Sequence, residues 1–272
     1  MSDTGALVVC PTPIGNLGDI TLRALEELRR ADAAACEDTR HSRTLLDRHG
    51  IRLPLIALHE HNERAQAPAI VSRVVAGERI CLLTDAGFPA VSDPGALLIT
   101  AALDAGVRPV VLPGASAVPV ALAASGMAGG GYVFAGFLPR AAGALTAALD
   151  RLDAAALPIV AFESPRRLPA TLARIAARDP DRPVAVCREL TKLHEQVERG
   201  SAAELAARFD QPPKGEVTIV LGAAPAAPVA LPDPELLAEL AAAVGAKRAA
   251  ALASALTGAP RNALYAMLTS AR

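Results

Sequence analysis

The chain of 272 residues has no tryptophan, two tyrosines and five phenylalanines, so aromatics make up 3% of a sequence that is 52% hydrophobic. Ala, Leu and Val must do the packing, through many small contacts rather than aromatic slabs. The length suits one or two domains with a substantial core. Strong charge of either sign is missing as well. A net charge of -1 gives no global attraction to nucleic acid or an anionic membrane, so an RNA partner would need a local basic patch. Cysteine is sparse: Cys10, Cys36, Cys81 and Cys187 form no CxxC pair, and each lies in or beside an apolar run. They are expected to be reduced core thiols of a cytoplasmic protein, not metal ligands. The first residues show no basic region leading into an apolar stretch and a cleavage site, so no secretion signal is read there. From Pro109 to Pro139 no residue is charged, yet Pro113, Gly114, Pro119, Gly126 and Gly129 to Gly131 interrupt the stretch. It holds no continuous span of about 20 residues.

What is present is alternation. "ALVVC" (6–10) reads as a strand and "ITLRALEELRRA" (20–31) as a helix with Leu22, Leu25 and Leu28 on one face. "AAACE", "LPLIAL", "RICLLT" and "VRPVVL" read as further strands, with "APAIVSRVVA" and "GALLITAALDAG" as helices among them. This order predicts an α/β fold, with a mostly parallel sheet covered on both faces. The glycine-rich "SGMAGGG" (125–131) reads as a hinge, and a second α/β set follows it. There "EQVERG" reads as a lead into the helix "AAELAARF" through a turn. The expected organisation is 1–118 and 119–222 as two α/β domains, 223–234 as a Pro-rich linker, and 235–272 as a small helical C-terminal unit.

Ligands of open α/β sheets bind beyond the carboxyl ends of the strands. Here those ends carry "PTPIGNLGD" (11–19), "EDTRHS" (37–42), "LLTDAGFPAVSDPG" (82–95) and "PGASA" (113–117). Small residues and glycines at these corners let a ligand touch backbone. A purely structural reading competes: Asp93 followed by Pro94 reads as a helix start, and Asp19 reads as the cap of the helix that follows it. That so many such loops share one end favours a ligand site. The chain lacks G-x-G-x-x-G and G-x-x-x-x-G-K-[ST], and no lysine lies in the first-, fourth- or fifth-strand loops. A polyphosphate is disfavoured, whereas a ligand with a cationic centre is compatible.

"TPIGNLGDITLRALEEL", "EDTRHSRTLL", "HEHNE", "DAGFPAVSDPG", "PGASAVPVAL", "GFLPR", "FESPRRL", "RELTKLHEQVERG" and "KGEVTIVLG" occur in this order. The series closely resembles the ribosomal RNA small subunit methyltransferase I family of the tetrapyrrole-methylase superfamily, over essentially the whole chain. The resemblance implies two α/β domains with S-adenosylmethionine in the cleft between them. It also implies a homodimer and methylation of the ribose 2′-hydroxyl of a cytidine in the decoding region of small-subunit rRNA. It places the methyl donor against Pro13, Ile14 and Gly15 in the first loop. Asp85, Gly87, Phe88, Val91 and Ser92 serve in the second, and Ser116 and Ala117 in the third. The second domain's strand ends, near Phe162, Cys187 and Val217, would close over it. Two departures stand out. Phe88 occupies a position where the family usually has a small polar residue, and Arg166 one where it has His.

Transfer to a hydroxyl needs alignment, and either a base or a cation that steadies the developing alkoxide. Lys192 is the expected catalytic group, lowering the hydroxyl pKa or, with its own pKa depressed, taking the proton; Glu163 or Glu189 would orient it. Substrate RNA is assigned to Arg40, Arg140, Arg166 and Arg167, and to Glu60, His61 and Asn62 of the "HEHNE" loop. Free rRNA and an assembled small subunit are both compatible substrates, and no membrane partner is expected. The rival readings are a small-molecule methylase of the same superfamily and a non-catalytic ribosome-binding module.

Overall fold

The computed structural model describes residues 5–224 and 232–270. The expected linker at 223–234 therefore lies largely outside the described residues. The chain divides into two units, 1–223 and 224–272.

The larger unit holds two five-stranded sheets. The first is built from β1 (Ala6–Val9), β2 (Ala33–Cys36), β3 (Leu55–Ala57), β4 (Arg79–Leu82) and β5 (Val110–Val111), ordered β3-β2-β4-β1-β5. Every pair in it is parallel. Its helices are α1 (Leu22–Arg30), α2 (Thr39–Arg48), α3 (Glu63–Val75) and α4 (Ala96–Asp104). Strand side chains alternate between faces. Val8, Cys36 and Cys81 pack with Leu25, Leu28 and Leu46 of α1 and α2. Leu7, Val9, Ile80 and Leu82 pack with Ile70 and Val71 of α3 and Leu98 of α4. With both faces covered, β2 can be "AAAC" and still be a strand, because burial overrides the weak β-preference of alanine.

β1 connects through α1 towards β2, whereas β4 connects through α4 towards β5 on the other side. The adjacent strands β1 and β4 thus mark the topological switch point, where outgoing loops part and leave a crevice.

The second sheet is ordered β6-β7-β10-β8-β9. Its strands are β6 (Val133–Phe137), β7 (Ile159–Glu163), β8 (Pro183–Arg188), β9 (Gln196–Ser201) and β10 (Val217–Leu221). Only β6 and β7 run parallel; the other pairs are antiparallel. The expectation of a mostly parallel sheet therefore holds for the first half alone. "EQVERG" is not a turn but most of β9, paired residue by residue with β8. One face packs against α6 (Ala142–Asp153), α7 (Leu168–Arg178) and α8 (Ala202–Arg208). The other face receives α5 (Ala117–Ser125), whose Val118, Ala121 and Leu122 meet Val160, Ala185 and Val220. The glycine stretch at 125–131 is accordingly not a hinge between sheets. It joins α5 to β6, both of which belong to the second sheet's layer.

Three further sequence expectations change. Leu22 begins α1 but is 79% exposed, and Ala24 replaces it on the buried face. The cap of α1 is Thr21, whose Oγ1 accepts from Ala24 N at 3.1 Å, not Asp19. The cap of α4 is Gly95 rather than Asp93. Glu63, buried at the start of α3, accepts from the backbone N–H groups of Gly95 and Leu98 at 2.9 and 3.0 Å. A carboxylate from another helix thus takes the capping part expected of Asp93.

The smaller unit is α9 (Pro234–Val244), α10 (Ala246–Thr257) and α11 (Arg261–Ser270), held by Leu237, Ala250, Ala253, Ala259 and Leu264. Among the described residues no helix is long and apolar enough to cross a membrane.

Candidate active site

The loops after β1 and β4 are tied together. Thr12 N donates to Gly87 O at 2.8 Å, Gly87 N donates to Thr12 O at 3.1 Å, and Thr12 Oγ1 donates to Thr84 O at 3.0 Å. Gly87 takes φ +83°, and a Cβ there would meet the Ile14 side chain at 3.3 Å. Ala90 and Ser92 hold φ of 67° and 68°, so the loop after β4 is locally strained. Asp85 Oδ1 accepts from Asp38 N at 3.1 Å. Burial, joined by the Asp85 charge, pushes the Asp93 carboxyl above the usual aspartate range. Glu37 is raised in the same way, by burial and then by the charges of Asp85 and Asp93. None of the cavity-lining residues on this side is a lysine or an arginine.

The second sheet supplies the opposite wall. Phe134 and Phe137 both lie edge-on to Phe162, at ring separations of 5.1 and 5.5 Å. The turn after β8 is strained at Glu189 and Thr191, with φ of 52° and 65°. It grips the first loop: Asn16 N donates to Thr191 Oγ1 at 3.0 Å. A Cβ on Gly15 would overlap the Lys192 side chain and sit 2.9 Å from Leu190 O and Thr191 Oγ1. Gly15 is what lets the two loops meet.

A cavity of about 380 Å³ lies where these loops converge. Ile14, Asp85, Gly87, Phe88, Val91 and Ser92 line it, as do Ser116, Ala117 and Phe162; Pro13 and Gly15 do not. Cys187 and Val217, expected near the donor, line it as well, and so do Phe137 and Glu216, which the sequence reading omitted. Phe137 lies in "GFLPR" and Glu216 in "KGEV", both motifs already singled out, so only their geometry was hidden. The four cysteines are free and buried, and burial pushes the Cys187 thiol up to about 11.

The three expected catalytic groups separate. Lys192 Nζ donates to Glu189 Oε1 at 2.9 Å and to Glu216 Oε2 at 2.5 Å. Burial lowers its pKa, but the bonds to Glu216 and Glu189 outweigh that and hold it above the ordinary lysine value. A depressed pKa, needed for a lysine base, is not what this environment produces. Glu189 does orient Lys192; its carboxylate, held low by the Glu216 amide and then by Lys192, is charged. Glu163 does not. It faces the cavity, but its oxygens accept from Ser164 N at 2.7 Å and Thr171 Oγ1 at 2.6 Å, and it pairs with Arg167.

The assigned RNA contacts separate too. Arg167 turns inward to Glu163 and to Leu138 O, the latter at 3.0 Å, so it braces the loop instead of facing outward. Arg40 is exposed but forked onto Asp38, with Nη2–Oδ2 at 2.8 Å. Arg140 and Arg166 are exposed and have no hydrogen-bond or ion-pair partner among the described residues. In the "HEHNE" loop, Glu60 and His61 are exposed, while Asn62 folds back to bond His59 N and Ala57 O at 2.8 and 3.1 Å.

Residues 6–206 match the family model described as Tetrapyrrole (Corrin/Porphyrin) Methylases, and residues 234–272 match the RsmI C-terminal HTH domain. Ribosomal RNA small subunit methyltransferase I of Mesorhizobium japonicum is 45% identical over 97% of this chain and 91% of its own length. The chain belongs to the ribosomal RNA small subunit methyltransferase I family. The member from Escherichia coli O157:H7 is 40% identical over 96% of this chain and 93% of its own. Membership makes the chain a methyltransferase of this family. Solved structures agree on the fold of the first unit. The uroporphyrin-III C-methyltransferase of Thermus thermophilus, complexed with S-adenosylhomocysteine, superposes with a TM-score of 0.58 at 17% identity, covering 80% of this chain and 97% of that one. The methyltransferase CobJ gives 0.63 at 17% identity, covering 81% and 95%.

Proposed function

We propose that this member of the ribosomal RNA small subunit methyltransferase I family uses S-adenosylmethionine to methylate the 2′-hydroxyl of a cytidine ribose in the decoding region of 16S rRNA. It acts as a cytoplasmic homodimer on the rRNA or the assembled small subunit. The observation that carries the reading is the cavity at the β1/β4 switch point, lined by Asp85, Phe88 and Asp93 from the first sheet's loops and by Phe137, Phe162, Glu163 and Glu216 from the second's. Its size lies within the range of about 300–1,000 Å³ usual for small-molecule sites.

The residues present fit the methyl donor. Asp85 and Asp93 face the cavity, and a cationic ligand would offset the burial and the Asp85 charge that raise Asp93. The N-terminus of α5 opens there at Ser116 and Ala117, and Ser116 makes no capping hydrogen bond of its own. The helix end suits a carboxylate. Ile14, Gly87, Phe88 and Val91 give an apolar bed for a flat ring. When bound, S-adenosylmethionine supplies a methyl group already activated on a sulfonium.

The chain's own residues then position and polarise the acceptor. Lys192, kept protonated by Glu189 and Glu216, acts as a fixed cation that lowers the energy of a forming alkoxide. Glu189 is itself anchored, since its Oε1 also accepts from Glu216 N at 2.9 Å. Strain at Glu189 and Thr191 belongs to a turn whose shape is set by these bonds.

The experiment is methyl transfer from labelled S-adenosylmethionine to purified small subunits, with a porphyrinoid acceptor in parallel. The expected result is label in one cytidine ribose, located by mass mapping of the rRNA. Label in the porphyrinoid and none in RNA would overturn the reading.

A further inference from the structure

Four of the five phenylalanines of this aromatic-poor chain gather at one place. Phe88, Phe137 and Phe162 line the cavity, and Phe134 packs on Phe162. Three of them are at least half covered by neighbours, whereas Phe137 is 60% exposed. Regular strand alternation would put positions 134 and 137 on opposite faces. Both nevertheless touch Phe162. The reason is a slip in the β6–β7 register: Phe134 pairs with Val160 and Phe137 with Phe162, so β6 spends one residue more than β7 over this step. Gly136, at φ +64°, sits in the slip. A bulge of this kind re-aims a side chain beside a site.

Two arginines lie in the segments next to the exposed ring. Arg140 follows it by three residues. Arg166 lies in the loop after β7, and that loop is tied to Leu138 O by Arg167. Arg140 and Arg166 are exposed and, like several other surface arginines, have no hydrogen-bond or ion-pair partner among the described residues. A flat exposed ring with free guanidinium groups near it matches a nucleobase and its flanking phosphates. A purely apolar partner would leave the arginines unused.

We propose that Phe137 is the stacking platform for a base of the substrate RNA, at the mouth of the methyl-transfer cavity. The bulge at Gly136 turns the ring to that position. The inference rests on the RNA reading above and adds the residue that receives the base.

The test compares Phe137→Leu, Phe137→Ala and Phe137→Tyr with the unaltered protein. Affinity for a labelled single-stranded RNA of decoding-region sequence is measured by anisotropy, KM for purified small subunits by methyl transfer, and S-adenosylmethionine affinity by calorimetry. The Leu and Ala variants should weaken RNA binding and raise the RNA KM by roughly ten-fold. Donor affinity should stay within about two-fold, and Tyr, which keeps the ring, should behave as the original. Leucine keeps the apolar bulk without a π-face, so a Leu variant equal to the original overturns stacking. Loss of donor affinity with RNA binding intact overturns it too, by assigning the ring to the donor. If the unaltered protein neither binds nor methylates RNA, the RNA reading itself falls; an active original with indifferent variants removes only the role of Phe137.

Discussion

The first sheet walls its side of the cavity with Ile14, Gly87, Val91, Asp85 and Asp93, and its loops at 11–19, 83–95 and 113–116 contain neither lysine nor arginine. The second sheet answers with Phe137, Phe162, Glu163 and Glu216; Lys192 pairs with Glu216, and Arg140 and Arg166 lie in the segments that follow Phe137 and Phe162. A net charge of -1 conceals this division. Under the proposed reaction the difference has a direct meaning. A cationic donor belongs with the loops that carry Asp85 and Asp93 and no lysine or arginine, and a polyanionic acceptor with the side whose loops carry Lys192, Arg140 and Arg166. Substitutions on one side should therefore disturb one substrate and spare the other.

The largest effect is expected at Lys192. Lys192→Met should lower kcat by about 10²–10³, the usual loss when a fixed charge at a developing oxyanion is removed. Lys192→Arg should recover part of it, because the charge remains. The pH profile separates a cation from a base. The protonated form is active and its pKa is held above the ordinary lysine value by Glu216 and Glu189. The kcat profile should thus show no rise owed to Lys192 through neutral pH, and a fall only in strongly alkaline solution. A rise near pH 8 that vanishes in Lys192→Arg would contradict this assignment.

Gly15→Ala comes next, and it probes whether the two sides must touch. The added methyl would collide with Lys192 and with backbone at Leu190. An ångström of misplacement can reduce turnover by about 10². Both substrates should still bind, with kcat taking most of the loss, as steady-state kinetics beside separate affinity measurements would show.

The sequence is most readable where local pattern and burial agree. The strand–helix alternation of the first half is visible because doubly covered parallel strands are continuous apolar runs. β9 escaped because it is an edge strand of mixed polarity, "QVERGS", stabilised by pairing with β8 rather than by its own pattern. The cap of α4 escaped because its acceptor, Glu63, is more than 30 residues upstream. In the site, the small-residue corners announce themselves, whereas roles of charged groups depend on partners that spacing does not reveal. Glu163 follows an apolar strand as a functional carboxylate might, yet Ser164, Thr171 and Arg167 occupy it. Phe137 depends on a bulge, and one extra residue in a strand leaves no compositional trace.

Asp93→Asn sharpens the comparison from the acidic side. Burial, with the Asp85 charge, raises this carboxyl in the fold. A raised folded pKa contributes stability that is present below the unfolded pKa, about 3.9 for Asp, and is lost as pH rises through the folded value. At neutral pH the charge therefore opposes folding. The Asn variant should melt at a higher temperature at pH 7, with the gain disappearing in acid. S-adenosylmethionine affinity should fall by about ten- to a hundred-fold, since a contact to a charged group is commonly worth about 1.5–3 kcal/mol. RNA affinity should not move. Unchanged donor binding would detach Asp93 from the donor.

The smallest effect separates arginines that sequence alone treats alike. Arg40 is committed to Asp38 on an open surface, whereas Arg140 and Arg166 have no such partner among the described residues. A phosphate would have to compete with Asp38 for Arg40, but would meet the other two unopposed. Arg40→Ala should change RNA affinity by less than about three-fold. The double variant Arg140→Ala/Arg166→Ala should weaken RNA binding and flatten the salt dependence by about two phosphate contacts. S-adenosylmethionine affinity should stay constant in both. Salt titrations of RNA binding for the two variants decide the matter: equal slopes would mean that the pairing of Arg40 does not set it apart, and that the cationic side extends onto the first sheet as well.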